Sequence, residues 1–279
     1  VTDNRWYDCP TIIPYYGGKF MLSNRLVPML SPHKRYIEAF AGSLSMFFRK
    51  KKVKPEEFNI LNDIDNNIVN LYRCVVDNYD LLVENIYWIT RSRTTFDEVK
   101  KGIIENSDFT IPDCAQASKY FFLIRNSFNN IPYCPFSREA TWKPNELIKN
   151  LRYSRDYIGG STIENLDFRD LVCRYKPKSG DMWYFDPPYI VATEKKDYYL
   201  ADFGYTEHED LKACADMINM GGGNFMISYD DKEVLRDMYS EYNIKTIETK
   251  YVGRTVGAGK IFTELVITNY DINEQHSLF

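Results

Sequence analysis

The 279-residue chain lacks any apolar run near the roughly 20 residues that a membrane span needs. Its first residues, VTDNRWYDCP, have neither the basic start nor the apolar stretch of a secretory signal. Neither membrane insertion nor export is therefore expected, and a cytoplasmic location is. Cysteine is sparse and scattered. No two of Cys9, Cys74, Cys114, Cys134, Cys173 and Cys214 stand at zinc-ligand or redox-motif spacing. Reduced thiols are expected, with no metal centre and no disulfide framework. Internal repeats and low-complexity tracts are absent, and so is the three-glycine phosphate turn of a nicotinamide enzyme.

What is present is an ordinary globular composition. The hydrophobic fraction of 44% supplies a full core, and the length suits one large α/β domain or two smaller ones. The net charge of −4 is unevenly spread. Between Lys119 and Lys178 there are eleven Lys/Arg against six Asp/Glu, whereas between Glu194 and Glu241 there are five against twelve. A basic middle on an acidic chain is a candidate phosphate-facing surface, although a solvated face has the same composition.

The pattern of apolar residues sets the organisation. Tyr36–Phe40 reads as a strand running through Ala41-Gly42-Ser43 into a helix over Leu44–Lys52. Phe58–Asp63 reads as a second strand ending on a carboxylate. From Ile64 to about Phe128 the spacing is helical, with breaks expected near Asp77-Asn78, Thr94-Thr95 and Ile111-Pro112. Asn129–Pro144 reads as a loop or short hairpin, and Asn145 as the N-cap of a helix ending at Gly159-Gly160. Short strands are expected at Ser161–Asn165, Met182–Phe185 and Asn224–Ser228. A helix capped by Thr206 with Glu209 is expected to stop at Gly221. Ile244–Val252 and Phe262–Tyr270 pair as a terminal hairpin. Strands alternating with helices at both ends of a helical middle predict a three-layer α/β domain interrupted by a helical insert.

The tetrapeptide Asp186-Pro187-Pro188-Tyr189 directly follows the apolar run Met182–Phe185. The prolines forbid continuation as helix or sheet, so the chain leaves the strand end in a stiff extended turn. A carboxylate, a proline carbonyl and an aromatic face then stand side by side at the carboxyl end of a strand, where open α/β sheets bind ligands. That arrangement suits a flat base bearing an amino group, although a turn beside a core aromatic accounts for the same letters. Four further clusters are each ambiguous. Tyr15-Tyr16-Gly17-Gly18-Lys19 offers a bare backbone and a cation, or a plain turn. Phe40-Ala41-Gly42-Ser43 is a tight strand-to-helix turn of the kind that closes on nucleotide-like cofactors. Asn62-Asp63 places an acid where dinucleotide folds bind ribose, or an N-cap that Asp65 fills equally well. Asp167-Phe168 pairs an acid with an aromatic after a strand.

Taken in order, these residues resemble the Dam-type family of DNA adenine N6-methyltransferases, which use S-adenosylmethionine. The likeness extends over Tyr36–Phe48, Leu61–Ile64 with Asn70-Leu71-Tyr72, Arg125–Asn129, Thr162–Phe168, Ile227-Ser228-Tyr229 and Glu264–Asn269. The resemblance implies a Rossmann-like mixed sheet with a terminal β-hairpin over residues 1–70 and 156–279. It implies a helical DNA-recognition insert over 71–155. It implies that Tyr15, Gly18 and Lys19 lie against the cofactor, with Lys19 near its carboxylate. Phe40, Ala41, Gly42 and Ser43 would form the cofactor turn, Asp63 and Ile64 the ribose side, and Asp167 and Phe168 the adenine side. Asp186, Pro187, Pro188 and Tyr189 would clamp the target base, with Asp186 also beside the cofactor. Arg125, Asn126, Phe128 and Asn129 match the segment that approaches DNA, and Arg138 and Lys143 belong to the basic middle.

The implied partner is duplex DNA, with a cognate restriction endonuclease alongside. Neither membrane nor metal is implied. Cytosine N4 or RNA adenine as the target, and a catalytically dead DNA-binding relative, are the competing readings. Three departures stand out. Leu44 replaces the second glycine of the cofactor turn and is expected to crowd the cofactor's methionine part. Pro14 replaces a lysine. Residues 130–142 are short for a recognition hairpin, so the family's common GATC target is not carried over.

Overall fold

The computed structural model describes residues 11–14, 19–53, 58–105, 109–131, 134–189, 203–250 and 261–272. In chain order its first elements are α1 (Ser23–Leu26), β1 (Arg35–Glu38), α2 (Ser45–Val53), β2 (Phe58–Asn62), α3 (Asn66–Asp77), α4 (Tyr79–Trp88), α5 (Arg93–Glu105) and α6 (Cys114–Asn126). There follow α7 (Pro144–Ile158), β3 (Thr162–Glu164), α8 (Phe168–Tyr175), β4 (Asp181–Phe185), α9 (Tyr205–Met220), β5 (Asn224–Asp230), α10 (Glu233–Met238), β6 (Asn243–Lys250) and β7 (Ile261–Thr268). The chain divides into two compact units. Val1–Ser23, Ala41–Pro55 and Asp63–Asn165 make the first, and Asn24–Phe40, Glu56–Asn62 and Leu166–Phe279 the second. No helix among the described residues is long and apolar enough to cross a membrane.

The second unit is built on six strands in the order β2-β1-β4-β5-β7-β6. β2, β1, β4 and β5 run parallel, and β7 enters antiparallel between β5 and β6. Every residue of β4 is buried, as expected of a central strand in a parallel sheet. Trp183 and Phe185 on one face of β4 join Ile37, Ile60, Phe225, Ile227, Leu265 and Ile267 in a core closed by Leu171 and Val172 of α8 and Leu211, Ala215 and Ile218 of α9. At the opening edge of the sheet Arg35 grips Asp181 through two hydrogen bonds, at 2.8 and 2.5 Å. That bidentate ion pair pins β1 to β4 in register. The expected terminal hairpin is present as β6 and β7, and its connection at 251–260 lies outside the described residues.

The first unit is helical. α6 is buried nearly all round, among α3, α4 and α5. Asn70 of α3 ties down its start, because the side-chain amide accepts from the Asp113 main-chain N–H at 2.8 Å and donates to the Asp113 carbonyl at 2.9 Å. α7 buries Leu147, Leu151, Ser154 and Ile158 at helical spacing and ends at Gly159 as expected.

Several boundaries differ from the sequence reading, and the physical reason is clearest at three helix starts. α9 starts at Tyr205 after Gly204, whose N–H is taken by Glu207 at 2.7 Å, so Thr206 and Glu209 lie inside the helix. α7 starts with Pro144 and not behind an Asn145 cap; proline suits the first turn because its missing N–H would have no partner there. The break expected at Thr94-Thr95 falls one turn earlier, and Ser92 caps α5 by accepting the Thr95 N–H at 2.9 Å.

Leu44 holds an unusual backbone conformation. Its φ of +58° is the left-handed backbone that the glycine of the resemblance would occupy. That conformation costs a leucine about 1–2 kcal/mol. Its side chain has no accessible surface. Full burial of a leucine contributes about 1.5–3 kcal/mol, enough to offset the strain. Leu44→Gly removes both terms, and because cavity formation adds to the loss, stability should fall by about 1–3 kcal/mol. Urea unfolding reads this directly. An unchanged or raised midpoint would show that backbone strain governs the position.

Candidate active site

Within the first unit the turn after β1 and the end of β2 meet through one hydrogen bond. Gly42, at φ +44°, donates its N–H to Asp63 Oδ2 at 2.8 Å. The Tyr72 hydroxyl donates to the Gly42 carbonyl, so that peptide is held on both sides. Asp63 Oδ1 accepts the Asp65 N–H at 2.9 Å. The cap of α3 is Asp65, which accepts from the Asn67 N–H at 2.8 Å and from the Tyr120 hydroxyl at 2.9 Å. Of the two roles open to Asp63, capping is thus taken by its neighbour. Asp63 is half-buried by accessible surface but ringed by protein atoms. Burial first, and then the nearby Asp65 charge, push it up to about 7. Beside it, Ile64 is 47% exposed. Ser43 shares a 2.7 Å hydrogen bond with Ser45, and Lys19 is buried. Tyr15 and Gly18 lie outside the described residues.

Within the second unit, Asn62 organises the neighbouring strand ends. Its amide donates to the Ala39 and Leu166 carbonyls at 2.9 and 3.0 Å, and its oxygen accepts the Leu166 N–H at 2.9 Å. This places Asp167 and Phe168 at the start of α8. Asp167 caps that helix and accepts the Arg169 guanidinium on both oxygens, each at 2.8 Å. Arg169 accordingly holds the Asp167 carboxyl below the usual carboxylate range. Phe168 is buried against Phe40 and Phe203, with ring centroids 5.6 and 5.9 Å away.

The chain leaves β4 through Asp186, Pro187, Pro188 and Tyr189. Pro187 is buried and the other three are half-buried. The Ser228 hydroxyl on β5 donates to Asp186 Oδ1 at 3.4 Å and lies 2.8 Å from the Tyr184 hydroxyl. The Tyr189 hydroxyl donates to Glu264 on β7 at 2.7 Å. One residue on from Ser228, the Tyr229 hydroxyl meets His208 Nδ1 at 2.7 Å, and burial depresses His208 to about 4, so the ring is neutral. Ser228 and Glu264 belong to stretches that carry the family likeness, but their roles depend on contacts across the sheet that no local pattern announces.

The expected DNA-facing residues divide into two groups. Arg125 turns inward, donating to the Ile12 carbonyl at 3.0 Å over the Phe121 ring, and burial lowers it to about 10. Asn126 is fully buried; its oxygen accepts from Arg91 at 2.7 Å and its amide donates to the Phe122 carbonyl at 2.9 Å. Phe128, Asn129, Arg138 and Lys143 are exposed. Two stretches of chain pair here. Ser127 pairs with Phe136, the Phe128 N–H reaches the Pro135 carbonyl at 2.8 Å, and the Ser137 N–H reaches the Asn126 carbonyl at 2.7 Å. Asn129 and Asn130, at φ +55° and +58°, follow in a short 3-10 turn. Arg91, absent from the sequence reading, also donates to the Ser137 carbonyl at 2.8 Å and lies 4.6 Å from the Phe136 ring centre. A cleft of about 580 Å³ between α4 and α7 is lined by Lys149, Arg152 and Arg155 together with Tyr79, Asp80 and Asp156.

Four parallel strands followed by an antiparallel pair make the second unit an α/β sheet of mixed direction. Residues 15–252 match the family described as D12 class N6 adenine-specific DNA methyltransferase. The chain belongs to that family. It is 26% identical to the Type II methyltransferase M1.LlaDCHI of Lactococcus lactis subsp. cremoris, over 91% of this chain and 93% of the relative. It is 21% identical to the Type II methyltransferase M.MjaIII of Methanocaldococcus jannaschii, over 92% and 98%. A DNA N-6-adenine-methyltransferase of Escherichia phage P1 is also 21% identical, over 88% of this chain and 33% of that longer protein. Membership in an adenine-specific DNA family answers the cytosine and RNA alternatives.

Arg91→Ala removes two part-buried hydrogen bonds from a charged donor, each worth about 1.5–3 kcal/mol where nothing replaces it. The paired stretch loosens as a result. Affinity for unmethylated duplex should fall by about tenfold or more, with cofactor affinity little changed. Lysine at 91 cannot reproduce the forked contact and should not restore binding. Filter binding beside cofactor calorimetry distinguishes this from general damage: an equal loss of both affinities would refute it.

Proposed function

We propose that the protein transfers a methyl group from S-adenosylmethionine to N6 of an adenine extruded from duplex DNA, with Asp186 at the centre of the chemistry. The observation that carries this reading is the strand end itself. Asp186 emerges from a fully buried strand with one oxygen met by Ser228, and Pro187 and Pro188 stiffen the turn that follows. An amino group presents two hydrogens, and the reading assigns one to the Asp186 carboxylate and one to the Pro187 carbonyl. Losing planarity in this way frees the nitrogen lone pair from the ring, and alignment then does most of the catalytic work. Tyr189 stacks on the extruded base, which leaves the duplex at a cost of a few kcal/mol. The amino proton shed after transfer leaves through the Asp186 carboxylate.

The residues present suit the cofactor that the family implies. A carboxylate already supplied with main-chain donors, beside the exposed Ile64, fits a ribose with its two hydroxyls. Gly42 brings a side-chain-free backbone, and Ala41 and Ser43 flank it. Tyr15, Gly18 and Lys19 are assigned to the carboxylate end, and Phe40 and Phe168 offer aromatic surface for the adenine, with Asp167 fixing the start of α8. When bound, the cofactor supplies an electrophilic sulfonium methyl.

Duplex DNA is the proposed substrate. The exposed Phe128 and Asn129, Arg138, Lys143 and the cations of the α4–α7 cleft support phosphate and groove contacts from residues 71–155. The Type II names of two relatives support a modification role beside a cognate restriction endonuclease.

Asp186→Ala should abolish turnover in a tritiated-methyl assay while changing cofactor affinity only a few-fold. Retained methylation would refute the assignment.

Asp63 yields a second prediction. With its pKa pushed up to about 7, against about 4 for an ordinary Asp, the free protein holds a proton there that the unfolded chain has lost. This group's contribution to stability is therefore greatest below pH ~4, declines as pH rises toward 7 and is flat above. Ribose hydroxyls favour the ionised form, so cofactor binding expels that proton and affinity weakens as pH drops below 7. Calorimetry at pH 6 in two buffers of different ionisation heat should register release of about one proton. Asp63→Asn should abolish that release. Buffer-independent heats would exclude the role, and no heat at millimolar ligand would point to a DNA-binding relative without catalysis.

A further inference from the structure

We infer that Glu264 is a positioning residue for the base clamp: its carboxylate holds the phenol of Tyr189 and fixes the plane on which the extruded adenine stacks. The inference rests on the reading of Tyr189 as the stacking residue. Glu264 sits in β7, between β5 and β6, directly opposite Asp230 on one side and Ile247 on the other. Ladders on both sides fix its backbone. Its 8% exposure makes it a buried acid in the otherwise apolar run Leu265-Val266-Ile267, a location that is costly unless the charge is hydrogen-bonded.

The 2.7 Å bond from the Tyr189 hydroxyl meets that requirement with charge-assisted geometry. Tyr189 is thereby held at both ends. Its main chain follows two prolines, its ring packs against the core beneath the sheet, and its far end is tied to β7. A ring fixed before the base arrives loses less freedom on stacking, so more of the stacking energy appears as capture. A strand acid without functional cause would be expected to be replaced by an apolar residue; here local chemistry is set aside at the strand end nearest the clamp.

The test uses the full chain, unmethylated genomic DNA and tritiated S-adenosylmethionine, with kcat and KM taken for each substrate. The variants are Glu264→Ala, Glu264→Gln, Tyr189→Phe, Tyr189→Ala and the double variant Glu264→Ala/Tyr189→Phe. Glu264→Ala and Tyr189→Phe should each lower kcat/KM for DNA by about tenfold, as loss of a charged hydrogen bond does. KM for the cofactor should stay in place. Glu264→Gln keeps an acceptor oxygen and should recover part of the loss. The double variant should be no worse than either single one, because both remove the same tether. If Glu264→Ala fails to fold, Glu264→Gln and Tyr189→Phe carry the comparison. Multiplying losses in the double variant, or wild-type turnover in Glu264→Ala and Tyr189→Phe while Tyr189→Ala is crippled, would overturn the tether alone. Full turnover in Tyr189→Ala would overturn the stacking reading beneath it.

Discussion

A carboxylate at the end of a buried strand keeps its charge only where neighbouring groups replace the water it has lost. That constraint shapes the second unit around Asp186. β4 has no exposed residue, so the strand delivers its last side chain to a position set by the core and not by the loop. The hydroxyls of Ser228 and Tyr184 then stand in line behind the acid, both on buried parts of adjacent strands. Pro187 and Pro188 remove the freedom that would let the turn swing away. The site's accuracy therefore originates in packing: Trp183 and Phe185 anchor the strand on the opposite face, and Arg35 with Asp181 fixes its start.

The acids of the proposed site are tuned in opposite directions by their surroundings. Asp63 has main-chain donors, and burial raises it into the neutral range. Asp167 has Arg169 on both oxygens and stays ionised far below neutrality. A ligand that brings hydroxyl donors gains from Asp63, because it converts a strained acid into a satisfied one. Asp167 has less left to offer a ligand and more to offer the fold, as cap and ion-pair partner. Two aspartates that look alike in the chain thus differ in their surroundings: burial raises one, and an ion pair holds the other low.

Much of the frame was legible because it depends on local pattern. The apolar run before Asp186, the Gly159 stop and the final pair of strands follow from hydrophobic spacing and breaker residues, and the structure has each of them. The misses have a different origin. The start of α9 turns on whether Glu207 or Glu209 reaches a free N–H, a competition between near-equivalent caps. Arg91 reaches residues 35 and 46 positions away, and Glu264 reaches one 75 positions away. Leu44 is instructive in another way. The local rule asks for glycine, and the tertiary environment overrides it by burying the whole side chain. The inward-facing Arg125 and Asn126 likewise show that a segment can match a DNA-approaching motif while half of it braces the other half from inside.

Strand register exposes one further consequence. Asp230 and Glu264 are direct cross-strand partners, and the pairing of Phe185 with Ile227 brings Asp186 level with Ser228, two residues from Asp230 on the same face. Three acids therefore gather along one face of the same sheet end. Like charges opposite each other on neighbouring strands oppose folding. The structure offsets this piecemeal, with the Tyr189 hydroxyl on Glu264, the Lys232 ammonium 3.4 Å from Asp230 and the Ser228 hydroxyl on Asp186. In the proposed transfer, an amino nitrogen taking up a methyl becomes cationic before it sheds its proton, and acids already in place beside it would lower the energy of that moment more than that of the neutral base. On that reading the closeness of these acids, a cost to folding, would serve the proposed chemistry.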